Sequence, residues 1–303
     1  FEKNFLKKPF DNYETITKDI RELNRDDLKD IDAVIHLAGL SNDPLGELSP
    51  HLTEEINFKS TINLVNLSKK SGVKRFIYLS SLSIYGISNT DKELDEYESV
   101  KNPITAYAKA KWMAEQDIHR NNDVNFTVVS LRPSTVFGAS SRLRSDIVFN
   151  NLVGCAYTTN NIEIKSDGTP WRPILHVRDA CNSIIACIEA PEKLINNKVY
   201  NVGIKNGNYT VNQLADAVKK IIPNSEIIYT NEHGNDSRTY RVSFKRILSE
   251  LKDYYKPKYN LDLGGQELFN YFNKVKFQLD DLEKEKTIRL KKLKKLRKSS
   301  IID

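Results

Sequence analysis

The sequence is poor in the residues that staple a fold and in the runs that cross a bilayer. Among 303 residues there are 3 cysteines and 1 methionine. No apolar run reaches the roughly 18 residues that a membrane-spanning helix needs, so no membrane partner is expected. The opening stretch FEKNFLKKPF lacks the charged-then-apolar pattern and small-residue cleavage site of a secretory signal. Cys155, Cys181 and Cys187 have no metal-ligand spacing, and three thiols do not all pair. They read as reduced core thiols of a cytoplasmic protein, and no metal site is expected. What is present is ordinary: 39% hydrophobic and 28% charged residues, with enough chain to bury a large core unaided.

The formal charge of +6 is not spread over the molecule. Residues 284–298 hold nine Lys or Arg and one Glu, so the rest of the chain sums to −2. A nearly neutral body argues against nucleic acid as a partner. In the tail, Leu290, Leu293 and Leu296 recur every three residues among lysines. That spacing suits a surface helix laying a thin apolar seam on the body, or a helix that meets a partner or an anionic surface.

Short apolar runs between polar turns mark strands, and longer runs with period near 3.6 mark helices. Strands are expected at 33–38, 74–80, 126–132, 198–203 and 226–230. Helices are expected over 53–70, 105–121, 178–190 and 210–222. Gly72 suits the end of the first helix. Regular strand–helix alternation, with strands apolar on both faces, specifies an α/β fold with a doubly wound parallel sheet. The boundaries expected are 1–140 for this layer, 141–283 for a mixed region that completes the sheet and forms a smaller substrate subdomain, and 284–303 for the basic tail.

Tyr107-Ala-Lys109-Ala-Lys111 is the strongest local signal. Residues four apart share a helix face, so the Tyr107 hydroxyl and the Lys111 ammonium can enter one site. A cation beside a phenol lowers its pKa from about 10, towards use as a general acid or base. Alone, this spacing arises on any helix of similar composition. Some 25 residues earlier, however, the strand FIYLS runs into Ser80-Ser81-Leu82-Ser83-Ile84-Tyr85-Gly86. Ligands of doubly wound sheets bind beyond the carboxyl ends of strands, where a hydroxyl can stabilise charge developing on an oxygen.

IHLAG (35–39), Asn57, FIYLSSLSIYG (76–86), YAKAK (107–111), LRPSTVFG (131–138) and DGTPWRPILHVRD (167–179) follow one another in an order that resembles the extended short-chain dehydrogenases/reductases. The match is similar to their nucleotide-sugar epimerase/dehydratase branch, and VYNVG (199–203) and the stretch from Asp236 to Tyr240 agree with it. The resemblance implies a Rossmann sheet carrying NAD or NADP, NAD being favoured. It also implies a C-terminal part that holds a nucleoside-diphosphate sugar. By the same resemblance, Tyr107 is the acid/base, Lys111 its partner on the nicotinamide ribose, and Ser81 the hydroxyl that polarises the sugar oxygen. Asp19 and Ile20 fall where the family contacts adenine. Leu37, Ala38, Gly39, Asn57 and Ser134 fall along the rest of the cofactor, and Ser83, Arg172 and Arg238 on the substrate. Arginine suits a diphosphate through its planar fork. His176 is expected to be structural. The family also commonly pairs subunits through the helix bearing the tyrosine, so a homodimer is implied.

Two departures shape the expectation. The 4,6-dehydratases of the branch place an acid after the active-site Ser or Thr, whereas Leu82 and Ser83 stand here. That leaves oxidation and reduction at a sugar carbon, by an epimerase or by a 4-keto-sugar reductase, with a non-catalytic relative as a third reading. Second, the twelve glycines contain no G-x-x-G-x-x-G spacing to cradle a pyrophosphate. The strand at 33–38 matches a later family element, so the sequence is expected to start about 50–60 residues into the family pattern, a strand–helix–strand unit taking about 30 residues or more. The chain alone is then expected to hold cofactor weakly. Calorimetric titration with NADH and NADPH checks this, and tight binding of either would overturn it and name the cofactor.

Overall fold

Period-two alternation decides the central sheet. In the computed structural model, which describes residues 13–88, 91–230 and 239–300, four parallel strands stand side by side. Their order is β1 (Ala33–His36), β2 (Arg75–Leu79), β3 (Thr127–Pro133) and β7 (Lys198–Val202). Register sets Ile35 beside Ile77, Ile77 beside Val129, and Leu131 beside Tyr200. Phe76, Tyr78 and Val128 face one way, packing with Leu64, Val65, Ala114 and Ile118. Ile77, Val129 and Leu131 face the other way, against Ala186, Cys187, Ile247 and Leu251. Side chains alternate across a strand, so these runs bury both faces only with helices on each side. The cover on one side is α3 (Ser60–Lys70) and α4 (Ala106–Arg120), and on the other α6 (Val177–Glu189) and α9 (Lys245–Glu250). This is the doubly wound parallel sheet that the sequence leads one to expect.

One expected helix is interrupted. The run from Thr53 to Lys70 begins in α2 (Pro50–Glu54), passes a π-helical turn at Glu55–Lys59, and only then becomes α3. The turn carries buried Asn57, whose amide bonds the Leu40 backbone in both directions, at 2.7 and 2.9 Å. Wide turns of this kind are usually retained where a side chain must reach a site. Before it lies the short helix α1 (Asp43–Leu48), capped by Asn42.

After β3 the chain builds a second core. Strands β4 (Thr135–Phe137), β6 (Trp171–His176) and β8 (Asn208–Thr210) make a three-stranded sheet, and β5 (Asn161–Ile164) pairs in parallel with β9 (Glu226–Tyr229). Helices α5 (Val148–Thr159), α8 (Val211–Ile221) and α10 (Leu261–Val275) pack Phe149, Leu152, Leu214, Val218, Leu268 and Phe272 into one cluster. The turn of helix α7 (Glu192–Ile195) precedes β7, and α11 (Leu279–Glu283) leads to α12 (Arg289–Lys298). The tail is thus helical, with Leu290, Leu293 and Leu296 half-buried, as a thin seam requires.

Helix and sheet of the first layer are joined by a charge pair with both members 2% exposed: Arg132 on β3 and Glu115 on α4. Arg132 Nε donates to Glu115 Oε2 at 3.0 Å, and its Nη2 donates to Oε1. Its Nη1 donates to the Tyr85 hydroxyl at 2.8 Å, which lies 2.9 Å from Asn201 Oδ1 on β7. The carboxylate beside the guanidinium raises the arginine pKa despite burial. Removing one member of a buried pair strands the other charge, at a cost of about 3–5 kcal/mol. Glu115→Ala should therefore lose about that much in urea unfolding, while Glu115→Leu with Arg132→Met recovers most of it. Equal stability of Glu115→Ala and the native chain would refute the assignment.

Candidate functional site

The carboxyl end of β2 and the first turns of α4 converge on one place. Ser81 is the residue after the strand's extension, and its Oγ accepts from the Ser83 backbone amide at 3.1 Å, capping a 3-10 turn over Leu82–Tyr85. The Ser81 and Ser83 hydroxyls lie 3.1 Å apart. Thr105 caps α4 through the Ala108 amide and also donates to Asp43 on α1. That pins Tyr107, in the first turn of the helix, beside Gly46. A Cβ on Gly46 would sit 2.9 Å from the Tyr107 Cβ, so only glycine lets α1 approach. Ser81 lies close enough to Tyr107 to act on its phenol, while the Ser81 hydroxyl itself donates to Ser83.

Lys111 follows on the same helical face and is 6% exposed. Its ammonium donates to the Leu79 carbonyl at 2.6 Å and sits 4.7 Å from the centre of the Tyr78 ring. Burial brings its pKa down to about 8, against a smaller upward pull from Glu115. Tyr107 moves opposite to the expectation. Burial pushes its phenol up to about 12, Ser81 pulls it back, Asp43 raises it and Arg144 lowers it. Lys111 instead presses on His36, whose ring is stacked on Tyr78 and held near pKa 3 chiefly by burial. In this arrangement Tyr107 is protonated at neutral pH. The lysine is aimed at Leu79 and Tyr78 rather than at the phenol.

The expected cofactor residues are placed as follows. Leu37, Ala38 and Gly39 leave β1 exposed, with Leu37 at 60%. A Cβ on Gly39 would meet Asn57 Oδ1 at 2.8 Å, so the segment stays bare of bulk. The Tyr78 hydroxyl and Ser80 Oγ are buried without partners among the described residues. A bare strand end beside such groups fits the ribose and nicotinamide half of a dinucleotide. Asp19 caps a short turn and clamps Arg21 with both oxygens, which lowers its pKa to about 2. Ile20 lines a cleft with Leu23, Asn63 and Leu67 of α3. Ser134 gives its hydroxyl to the Val202 carbonyl at 2.8 Å, tying β3 to the end of β7.

Arg172 stands on β6, its Nη1 donating to the Trp171 carbonyl at 3.0 Å. Arg238 lies outside the described residues. His176 is fully buried, stacked on Tyr259 at 4.0 Å and 3.0 Å from Glu267. Sequence reasoning missed Glu115 and Tyr78. Glu115 continues the spacing of four from Tyr107 through Lys111, and that was its readable signal; Tyr78 had none. Among the described residues no group of three His, Cys, Asp or Glu is placed to hold a metal, and no helix is long and apolar enough to cross a membrane.

A family model described as the NAD dependent epimerase/dehydratase family matches residues 8–203. A UDP-glucuronate 4-epimerase of Thermodesulfobacterium geofontis is 25% identical over 245 residues, covering 80% of this chain and 72% of its own. UDP-glucuronic acid decarboxylase 1 of Arabidopsis thaliana is 25% identical over 254 residues, and this chain spans 56% of its length. The Bacillus cereus UDP-glucuronic acid 4-epimerase, solved with UDP-glucuronic acid and NAD, superposes with a TM-score of 0.72 at 22% identity, over 85% of this chain and 81% of its own. That likeness establishes the Rossmann fold.

The depressed lysine generates a prediction with a definite sign. Lys111 ionises near 8 when folded and near 10.5 when unfolded, so the unfolded state binds more protons between those values and stability rises with pH there. The native chain should gain stability relative to Lys111→Met between about pH 8 and pH 10.5, by a few kcal/mol in order of magnitude. Parallel stability profiles of the two proteins would sink this placement of the lysine.

Proposed function

Because the chain belongs to the NAD dependent epimerase/dehydratase family, we propose that it is an NAD-dependent epimerase of a nucleoside-diphosphate sugar, acting at C4 with Tyr107 as acid/base. The observation that carries this reading is the meeting of Ser81, Tyr107 and Lys111 at the carboxyl end of β2. A serine hydroxyl beside a tyrosine, with a lysine one helical turn on, is an arrangement for moving one proton on and off an alcohol oxygen.

Bound NAD would supply the hydride acceptor and donor, together with the positive ring charge of its oxidised form. The chain's own residues do the rest. Ser81 holds the sugar C4 oxygen and sets its distance from Tyr107. As the C–H bond breaks, the Tyr107 oxygen takes the hydroxyl proton; as the carbonyl is reduced, it gives the proton back. Its raised pKa suits the second act as the structure stands. The first requires positive charge nearer the phenol than Lys111 now lies. Lys111, fixed by Leu79 and Tyr78, is placed to bond a ribose hydroxyl. The exposed Leu37–Gly39 edge is where that ribose would rest, and Asp19 and Ile20 would take the adenine end. Arg172 and Arg238 would serve the diphosphate and Ser83 the sugar.

Leu82 supports epimerisation over water elimination. It stands where a dehydratase needs a proton-exchanging acid, and it is 2% exposed and packed in the core. No carboxylate substitutes for it at that turn, which reads Leu82–Tyr85. The relatives' names point to UDP-glucuronate as the first substrate to try. Pairing of two subunits through α4 goes with this reading, since Met113 is exposed on that helix.

Tyr107→Phe removes the proton carrier and leaves the ring. It should lower kcat by about 10²–10⁴-fold while the affinity for UDP-glucuronate, read by calorimetry, stays within about twofold. A variant turning over at the native rate would overturn the reading.

A further inference from the structure

Beside the site, Arg289 of the tail approaches Arg144 without a carboxylate of its own among the described residues. Arg289, the first residue of α12, is half-buried, and its Nη1 donates to the neutral Ser41 hydroxyl at 2.9 Å. Ser41 lies two residues beyond Gly39 and one before Asn42, the cap of α1, the helix that packs on Tyr107 through Gly46. Arg142 and Arg144 press on Arg289 electrostatically, and Arg144 also acts on the Tyr107 phenol. Asp146 also acts on Arg289, but Arg144 already holds both its oxygens, at 2.9 Å each. Among the described residues no carboxylate lies within ion-pair distance of Arg289.

This arrangement is built, not a loose tail. Ser145, next to Arg144, donates to the Leu282 carbonyl at 2.7 Å and lies 2.7 Å from the Thr287 hydroxyl, two residues before Arg289. Ser145 and Thr287 are each 1% exposed. A buried hydroxyl pair therefore sets the two arginine-bearing segments side by side.

A partly desolvated guanidinium facing its own kind is unfavourable unless an anion joins it. We infer that Arg289, with Arg144, binds anionic oxygens of the substrate, so that the C-terminal helix forms one wall of the site. This rests on the nucleotide-sugar reading above and adds a residue from the tail to it. The oxygens come from a carboxylate on the sugar or from the diphosphate; arginine grips both through the same paired hydrogen bonds.

The test is calorimetric titration of the full chain with UDP-glucuronate, UDP-glucose and NAD separately. Arg289→Ala should weaken UDP-glucuronate binding about tenfold, roughly one charge-assisted bond. Arg289→Lys should restore most of it, and Lys294→Ala, on the exposed side of the same helix, should change nothing. Circular dichroism of the variants checks that each is folded. A loss confined to UDP-glucuronate assigns the oxygens to the sugar carboxylate, and an equal loss with UDP-glucose assigns them to the diphosphate; both support the inference. Unchanged affinity for both sugars, or a loss seen with NAD alone, overturns it. Failure of the native chain to bind any nucleotide sugar would instead overturn the epimerase reading.

Discussion

The ion pair between Arg132 and Glu115 is the constraint on which the site depends. An unaccompanied charge in a core is prohibitive, so these two residues must meet, and meeting fixes how α4 lies on β3. The same guanidinium reaches Tyr85, and through it Asn201 on β7. One arginine therefore ties together a helix, two strands and the turn that follows Ser81. Apolar packing alone would let α4 slide by fractions of a turn. The directed bonds of a fork do not.

From that fixed helix the electrostatics follow. Tyr107, Lys111 and Glu115 stand at intervals of four, so their side chains descend one face from the site mouth to the core. Glu115 at the bottom pairs with arginine, Lys111 in the middle gets a carbonyl and an aromatic face, and Tyr107 at the top meets Ser81. The lysine is thus held as a half-satisfied cation. It has one hydrogen on the Leu79 carbonyl and two left to donate. A full carboxylate partner would have quieted it.

Much of this was legible in the residues. Strands at 33–38, 74–80, 126–132, 198–203 and 226–230 were visible because each is a short apolar run cut off by polar turns; the structure shortens four of them and shifts the third by one residue, to Thr127–Pro133. The nearness of Ser81, Tyr107 and Lys111 was readable because Ser81 follows a strand end and Tyr107 and Lys111 stand four apart on one helix. The break at Glu55–Lys59 was not: the pull that widens the turn comes from Leu40, distant in sequence and bonded to Asn57. Nor was the direction of the Lys111 ammonium, since spacing gives a face but not which carbonyl or ring waits on it. Ser134 shows the reverse limit, for its hydroxyl is engaged by Val202. Arg289 was hidden for a plainer reason. In a run of nine basic residues nothing in the pattern marks the one that turns inward.

The hydroxyl pair Ser145–Thr287 has a consequence for motion. Local opening of a protein proceeds in cooperative units whose members lose their protection together. The loop carrying Arg144 and the tail carrying Arg289 are separated by more than a hundred residues of chain, yet neither can lift without exposing the other's buried hydroxyl. They form one unit with one opening free energy, so backbone amides of the two segments should trade their hydrogens for deuterium in step.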